Sequence, residues 1–475
     1  MKMSIKLRFA ALLLSLLLTG IWCCPAMAIS IKEEDKLARE FMKYITRQYE
    51  LITDPQIVQY VNKVGQKLLA TMPPQPFDYH FYVIKEDVYN AFAIPAGHIF
   101  VNSGLLAAMD SEDELAGILG HEISHVVCRH LSQRIERSKK ISLATMAGMV
   151  AGIFLGATTG DATAMQTLTI GSMAAGQTAS LAYSRDDESQ ADQLGLIITT
   201  NAGYDPHGLL TALKRIRTKQ WFGAKQIPTY MQTHPATEER IVWIDAWITS
   251  HPDAMKKRKS FSEEAFRRAN IRLKALYGDP ANSLQEFETD LKKNPSDEDV
   301  IYGYGLALAQ AGKRDEAVEQ LKRVQAKNAL DPYILADLGR IYFLDGRYEE
   351  ALGTLEGAVS LASGNPEGLF YLGRSQMELG QLKKSTESFE AAIRVDPQYL
   401  PAYYFLGETN GRLNNMPDAH YYLGIYYYQK GQNRTARYHL TRALRLLRDP
   451  IKREAVDQAL KAMGPRSRDG QPSDG

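Results

Sequence analysis

From Gly278 onward the chain repeats itself. Gly278, Gly312, Gly346 and Gly380 are spaced by 34 residues, and so are Tyr304-Gly305, Leu338-Gly339, Leu372-Gly373 and Leu406-Gly407. Ala317, Ala351, Ser385 and Ala419 keep the same interval. A period of 34 with small residues at fixed offsets is the tetratricopeptide pattern. Each repeat is two antiparallel helices that bury their apolar faces by stacking on neighbours. Beyond Leu406 the pattern returns at a half period in Leu423-Gly424, Gly431 and Ala436. The array is therefore expected to reach Met463 with about five repeats. Tyrosines crowd its end, including Tyr403, Tyr404, Tyr421, Tyr422 and Tyr426. Half of them are expected to be packing residues; the rest suit a groove that grips unfolded or β-rich chains.

No such period exists before Phe261. There the run DSEDELAGILGHEISHVVCRH contains His121-Glu122-Ile123-Ser124-His125. Ser111 and Glu114 make an S-x-x-E capping box, and Leu115, Ile118 and Leu119 supply an apolar helical face. Residues four apart share a face, so His121 and His125 converge on one point where zinc can bind. Glu122 stands beside that point and suits a general base that activates water. Downstream, SRDDESQAD places Glu188 and Asp192 four apart on one helical face. Alone this is an acidic helix start. Beside HEISH, Glu188 becomes the third zinc ligand, and Asp192 the partner of a ligand histidine's free nitrogen. A third histidine in H-E-x-x-H-x-x-G-x-x-H register is absent, because Cys128 and Leu131 hold those places and His130 is one residue out. His234, in THPATEER, either faces the metal or packs at a turn.

Tyr79–Ile84, Ala91–Ile94 and His98–Val101 read as strands around the turn Pro95-Ala96-Gly97. The stretch Asn90, Ala91 and Phe92 either pairs with an extended substrate or forms an ordinary hairpin. Residues 1–28 read as a secretory signal: Lys2, Lys6 and Arg8, then an apolar Phe9–Leu18, then Ala26-Met27-Ala28. Its removal would leave Cys128 alone, with no intramolecular disulfide possible. The net charge of +1 gives no case for nucleic acid. Ile141–Tyr183 holds one charge, Asp161, among many small residues. It reads either as buried or cleft-covering helices, with peripheral membrane contact left open, or as a membrane hairpin.

HEISH, SRDDESQAD, NAFAIPAGH and THPATEERI, in this order, resemble metallopeptidase family forty-eight over Ile31–Ile248. The resemblance implies an α+β zincin-like (gluzincin) domain with one Zn2+ on His121, His125 and Glu188, Glu122 as base and Asp192 behind a ligand. It implies too that His234 holds the enzyme latent and that Arg240 is the arginine of the same motif. Ala96 stands where the family has glycine. The expected order is a signal at 1–28, a peptidase domain at 29–256, an all-α tetratricopeptide solenoid at 257–463 and a disordered tail at 464–475. The signal, peptidase and repeats together resemble periplasmic members that assist outer-membrane protein assembly and degrade misassembled chains. Unfolded or misassembled outer-membrane proteins and their assembly machinery are thus the implied partners. A non-proteolytic scaffold and an integral-membrane peptidase are the alternatives.

Overall fold

The computed structural model describes residues 29–137, 183–221, 229–235, 237–256 and 263–464. The signal at 1–28, the stretch at 141–182 and the tail beyond Gly464 lie outside them. Contacts divide the chain into two compact units. One contains the residues up to Ile52 and Val61–Glu263; the other contains Thr53–Tyr60 and Glu264–Gly475.

The first unit opens with helix α1 (Ile31–Gln48) and takes Val61–Leu69 of α2 (Pro55–Leu69), whose first residues, to Tyr60, belong to the second unit. Three strands follow, β1 (His80–Ile84), β2 (Ala91–Ile94) and β3 (His98–Asn102), in the order β1-β3-β2. β1 runs parallel to β3, and β2 returns antiparallel through Ala96 and Gly97, both at positive φ. Phe92 and Phe100 stack across β2 and β3 and join Leu37, Phe41 and Ile45 of α1 in one core. Next come α3 (Ser103–Ala108), α4 (Glu112–Val127) and α5 (His130–Arg137). After them lie α6 (Arg185–Asn201), α7 (His207–Trp221), α8 (Thr229–Thr233), α9 (Thr237–Ser250) and α10 (Pro252–Lys256).

α4 is buried from Glu114 to Val126 and packs on α6 and α7. Two glycines permit its approach to α6. A Cβ on Gly120 would lie 2.6 Å from Thr199 Oγ1, and one on Gly195 3.1 Å from the His121 nitrogen. The expected capping box at Ser111 is only half formed. Ser111 accepts from the Glu114 N–H, but the Glu114 carboxylate turns to Arg215 and the Asp110 N–H, since a guanidinium outcompetes one backbone N–H. Complete boxes are on α1, from Ser30 and Glu33, and on α6, where Ser184 and Asp187 satisfy each other's N–H.

The second unit is a stack of helices: α11 (Glu263–Tyr277), α12 (Pro280–Lys293), α13 (Glu298–Gln310), α14 (Arg314–Lys327), α15 (Pro332–Leu344) and α16 (Tyr348–Leu361). It continues through α17 (Pro366–Glu378), α18 (Leu382–Val395), α19 (Leu400–Arg412), α20 (Met416–Gln429), α21 (Asn433–Leu446) and α22 (Pro450–Ala462). Five pairings dominate the stack: α13 with α14, α15 with α16, α17 with α18, α19 with α20 and α20 with α21. The half-period repeat accounts for the last. A Cβ on Gly407 would meet Leu423 at 2.7 Å, and one on Gly424 would meet Leu440 at 2.5 Å. α20 is thus the second helix of one pair and serves as first helix to α21. Asn414 takes φ +64° where the other turns have glycine, a conformation asparagine tolerates. Tyr403 and Tyr422 are buried packing residues, whereas Tyr438 is half exposed. Among the described residues no helix is long and apolar enough to cross a membrane.

Candidate metal centre

α4 and α6 bring His121, His125 and Glu188 together, and the end of α8 adds His234. One ligand atom from each of the four lies within 4.8 Å of the others, and all four residues are buried. His121 Nε2 is 3.0 Å from His125 Nε2 and 3.4 Å from His234 Nδ1. Glu188 Oε1 is 3.0 Å from His234 Nδ1 and 3.5 Å from His125 Nε2. Two imidazoles, a carboxylate and a third imidazole make a borderline-soft nitrogen and oxygen set that suits zinc.

Glu122 lies beside this set. Among the described residues both its carboxylate oxygens are buried without a hydrogen-bond partner, as is His234 Nε2, which is 3.6 Å from Glu122 Oε1. Orphaned buried acceptors are costly unless a ligand completes them. His234 thus presents Nδ1 to the ligand cluster and Nε2 to Glu122.

Asp192 and Arg240 stand behind the ligands. Asp192 Oδ1 is 2.9 Å from His121 Nδ1, and Arg240 grips both Asp192 oxygens, from Nε at 2.8 Å and Nη2 at 2.7 Å. Arg240 Nη1 lies 2.6 Å from Glu188 Oε2, a charge contact at angles outside hydrogen-bond geometry. The two carboxylates are driven apart. Burial pushes the Glu122 carboxyl up, against partial opposition from His234 and His121. Burial acts on Glu188 as well, but Arg240 and then His234 outweigh it and hold that carboxyl well below its usual range.

The β2 stretch lies at a sheet edge; among the described residues it pairs with β3 alone. Asn90 is fully buried and its carbonyl accepts from the Asn102 N–H. Just before it, the Tyr89 carbonyl accepts from Tyr230 N–H at 3.3 Å, tying α8 to the start of the strand.

Three rings at the site carry no motif. Tyr230 stacks on His234 at 4.3 Å, and Tyr183 stacks on His125 at 3.7 Å. The Tyr230 signal is its place four residues before His234. His130, excluded as a ligand by register, lies with Nδ1 2.9 Å from His125 Nδ1. Cys128 is a half-buried free thiol.

Residues 53–248 match the model of peptidase family M48, and residues 302–366 and 367–399 match tetratricopeptide repeat models. The chain is 30% identical over 349 residues to the beta-barrel assembly-enhancing protease of Yersinia pestis, spanning 73% of this chain and 68% of that one. It is 26% identical over 396 residues to the protein of that name from Escherichia coli K12, spanning 82% and 78%. The mitochondrial metalloendopeptidase OMA1 of Schizosaccharomyces pombe is 27% identical over 238 residues, spanning 49% of this chain and 65% of the relative. With a buried histidine and glutamate cluster on the matched segment and helical repeats after it, the chain belongs to peptidase family M48 and is a metalloendopeptidase with a C-terminal tetratricopeptide region.

Proposed function

We propose that one zinc ion is held by His121, His125 and Glu188 in a zincin-like domain spanning residues 29–256. The observation that carries this reading is the convergence of four buried ligand atoms beside Glu122, whose two oxygens have no hydrogen-bond partner among the described residues. Bound zinc supplies Lewis-acid polarisation of the scissile carbonyl. Glu122 takes the proton of the attacking water and delivers it to the leaving amine. Its raised affinity for a proton, caused by burial, suits both halves of that task. Asp192 fixes the His121 ring through Nδ1, and Arg240 keeps Asp192 and Glu188 ionised and in place. The substrate backbone adds to the β2 edge at Asn90, Ala91 and Phe92.

His234 occupies the remaining ligand direction and contacts the base, so the resting enzyme is latent. Displacing α8 opens the site. The chain is exported by a signal at residues 1–28 and acts in the periplasm. There the repeats at 257–463 recruit unfolded or misassembled outer-membrane proteins, and the peptidase removes them. The support is the secretory pattern of the first residues, the tetratricopeptide matches and relatives named for β-barrel assembly.

The test is cleavage of an unfolded outer-membrane β-barrel protein by the full chain. Wild type should cleave slowly, a zinc chelator should stop it, and His234→Ala should cleave faster or cut itself. Chelator-resistant cleavage would overturn the zinc assignment. A slower His234→Ala would make His234 a catalytic or substrate-binding group rather than a latch.

A further inference from the structure

His121 and His125 are treated differently by their surroundings. His121 turns Nε2 to the ligand cluster and its other nitrogen to a carboxylate, Asp192. His125 also turns Nε2 to the cluster, 3.0 Å from His121 Nε2. Its Nδ1 meets an imidazole instead, His130 Nδ1 at 2.9 Å, with the rings edge to face at 74°. Both rings are buried.

An imidazole that ligates through Nε2 carries its proton on Nδ1. A buried N–H without an acceptor is penalised by about 1–3 kcal/mol and leaves the ring free to turn. Among the described residues the acceptor in reach is His130 Nδ1. Accepting there puts the proton of His130 on Nε2, which faces Asp187 Oδ1 at 3.9 Å. Asp187 is itself held. Arg134 donates to its Oδ2 at 2.7 Å and 3.0 Å, and the Ser184 N–H donates to the same oxygen at the start of the helix that carries Glu188.

The chain uses a strained turn to bring His130 there. Arg129, between α4 and α5, has φ +54°, a conformation that disfavours a side chain. The strain is held by Arg129 itself, whose Nε donates to the buried Glu34 at 2.7 Å and whose Nη2 donates to the Ile29 carbonyl. Without that reversal α4 would run on, and residue 130 would lie past the site.

We infer that His130 is the positioning residue of His125: its Nδ1 accepts the His125 Nδ1–H, fixing the tautomer and ring angle that leave Nε2 for the metal. This rests on the zinc assignment proposed above and extends it to a residue outside the ligand motif. Loss of an outer partner of this kind weakens metal binding by about 10–100-fold.

The test is zinc affinity of the full chain, by competition with a chromophoric chelator, for wild type, His130→Phe and His130→Asn. Phenylalanine keeps a ring and removes the acceptor; asparagine can place Oδ1 near the position of Nδ1. His130→Phe should bind zinc about 10–100-fold more weakly, and His130→Asn should stay within a few-fold of wild type. Equal affinity of wild type and His130→Phe would overturn the inference. So would equal loss in the two variants, because packing rather than an acceptor would then be at stake. If His130→Phe does not fold, nitrogen NMR of the zinc-loaded wild type decides. A hydrogen-bond coupling between the two Nδ1 atoms is expected, and its absence would refute the role. A wild-type chain that binds no zinc at all would instead refute the underlying site.

Discussion

Each unit buries one arginine among carboxylates, and the two clusters are finished differently. In the repeat unit, Arg272 is fully buried. Its Nε donates to Asp54 at 2.5 Å, Nη1 to Asp337 at 2.5 Å and Nη2 to Glu367 at 2.7 Å. Tyr302 donates to the second oxygen of Asp337 at 2.7 Å. Every nitrogen of that guanidinium has a carboxylate. In the peptidase unit, Arg240 donates to Asp192 from Nε and Nη2 and makes only a charge contact to Glu188 from Nη1, and Glu122 and His234 Nε2 have no hydrogen-bond partner among the described residues. The neighbouring Arg340 leaves Nε and Nη2 without a hydrogen-bond partner, so it is the acceptors that differ: among the described residues no buried carboxylate oxygen around Arg272 is orphaned, whereas both Glu122 oxygens are.

That contrast can be broken by mutation. Arg272→Leu would strand three carboxylates. It should lower the stability of the repeat unit by about 3–5 kcal/mol in urea unfolding while zinc content stays unchanged. A neutral outcome would mean the Arg272 cluster is not structural. Asp192→Asn acts on the other side. It keeps the shape but removes the charge that faces His121 and compensates buried Arg240, so zinc affinity should fall by about 10–100-fold and the first unit should also lose stability. A large stability loss with unchanged zinc affinity would reverse the two assignments.

The local parts of this division were legible in the sequence. The 34-residue period placed the repeat helices, and i, i+4 spacing put His121 with His125 and Glu188 with Asp192. Those signals are local because helix geometry is local. What stayed hidden depends on distant approach or on one dihedral angle. His234 and His121 are 113 residues apart. Neither Arg240's grip on Asp192 nor the Tyr183 ring on His125 follows from any spacing. His130 was set aside on register, and its direction was settled only by the left-handed turn at Arg129. The box at Ser111 misled because Arg215, from another helix, draws Glu114 away.

The smallest expected effect concerns the strand turn. Ala96 sits at φ +62°, beside Gly97 at +84°. Left-handed backbone is unfavourable for alanine by about 1–2 kcal/mol, offset in part by the greater flexibility of unfolded glycine. Ala96→Gly should therefore stabilise the first unit by about 0.5–1 kcal/mol, read as a higher urea midpoint. A lower midpoint would mean that packing of the buried Ala96 methyl outweighs the strain.

On the proposed mechanism the open valences at Glu122 belong to proteolysis and not to folding. The direct measurement is zinc content and cleavage of an unfolded outer-membrane protein by Glu122→Gln beside wild type. The expected result is unchanged zinc, an unchanged unfolding midpoint and cleavage reduced by at least about 100-fold. A Glu122→Gln protein that still cleaves at the wild-type rate would contradict the account.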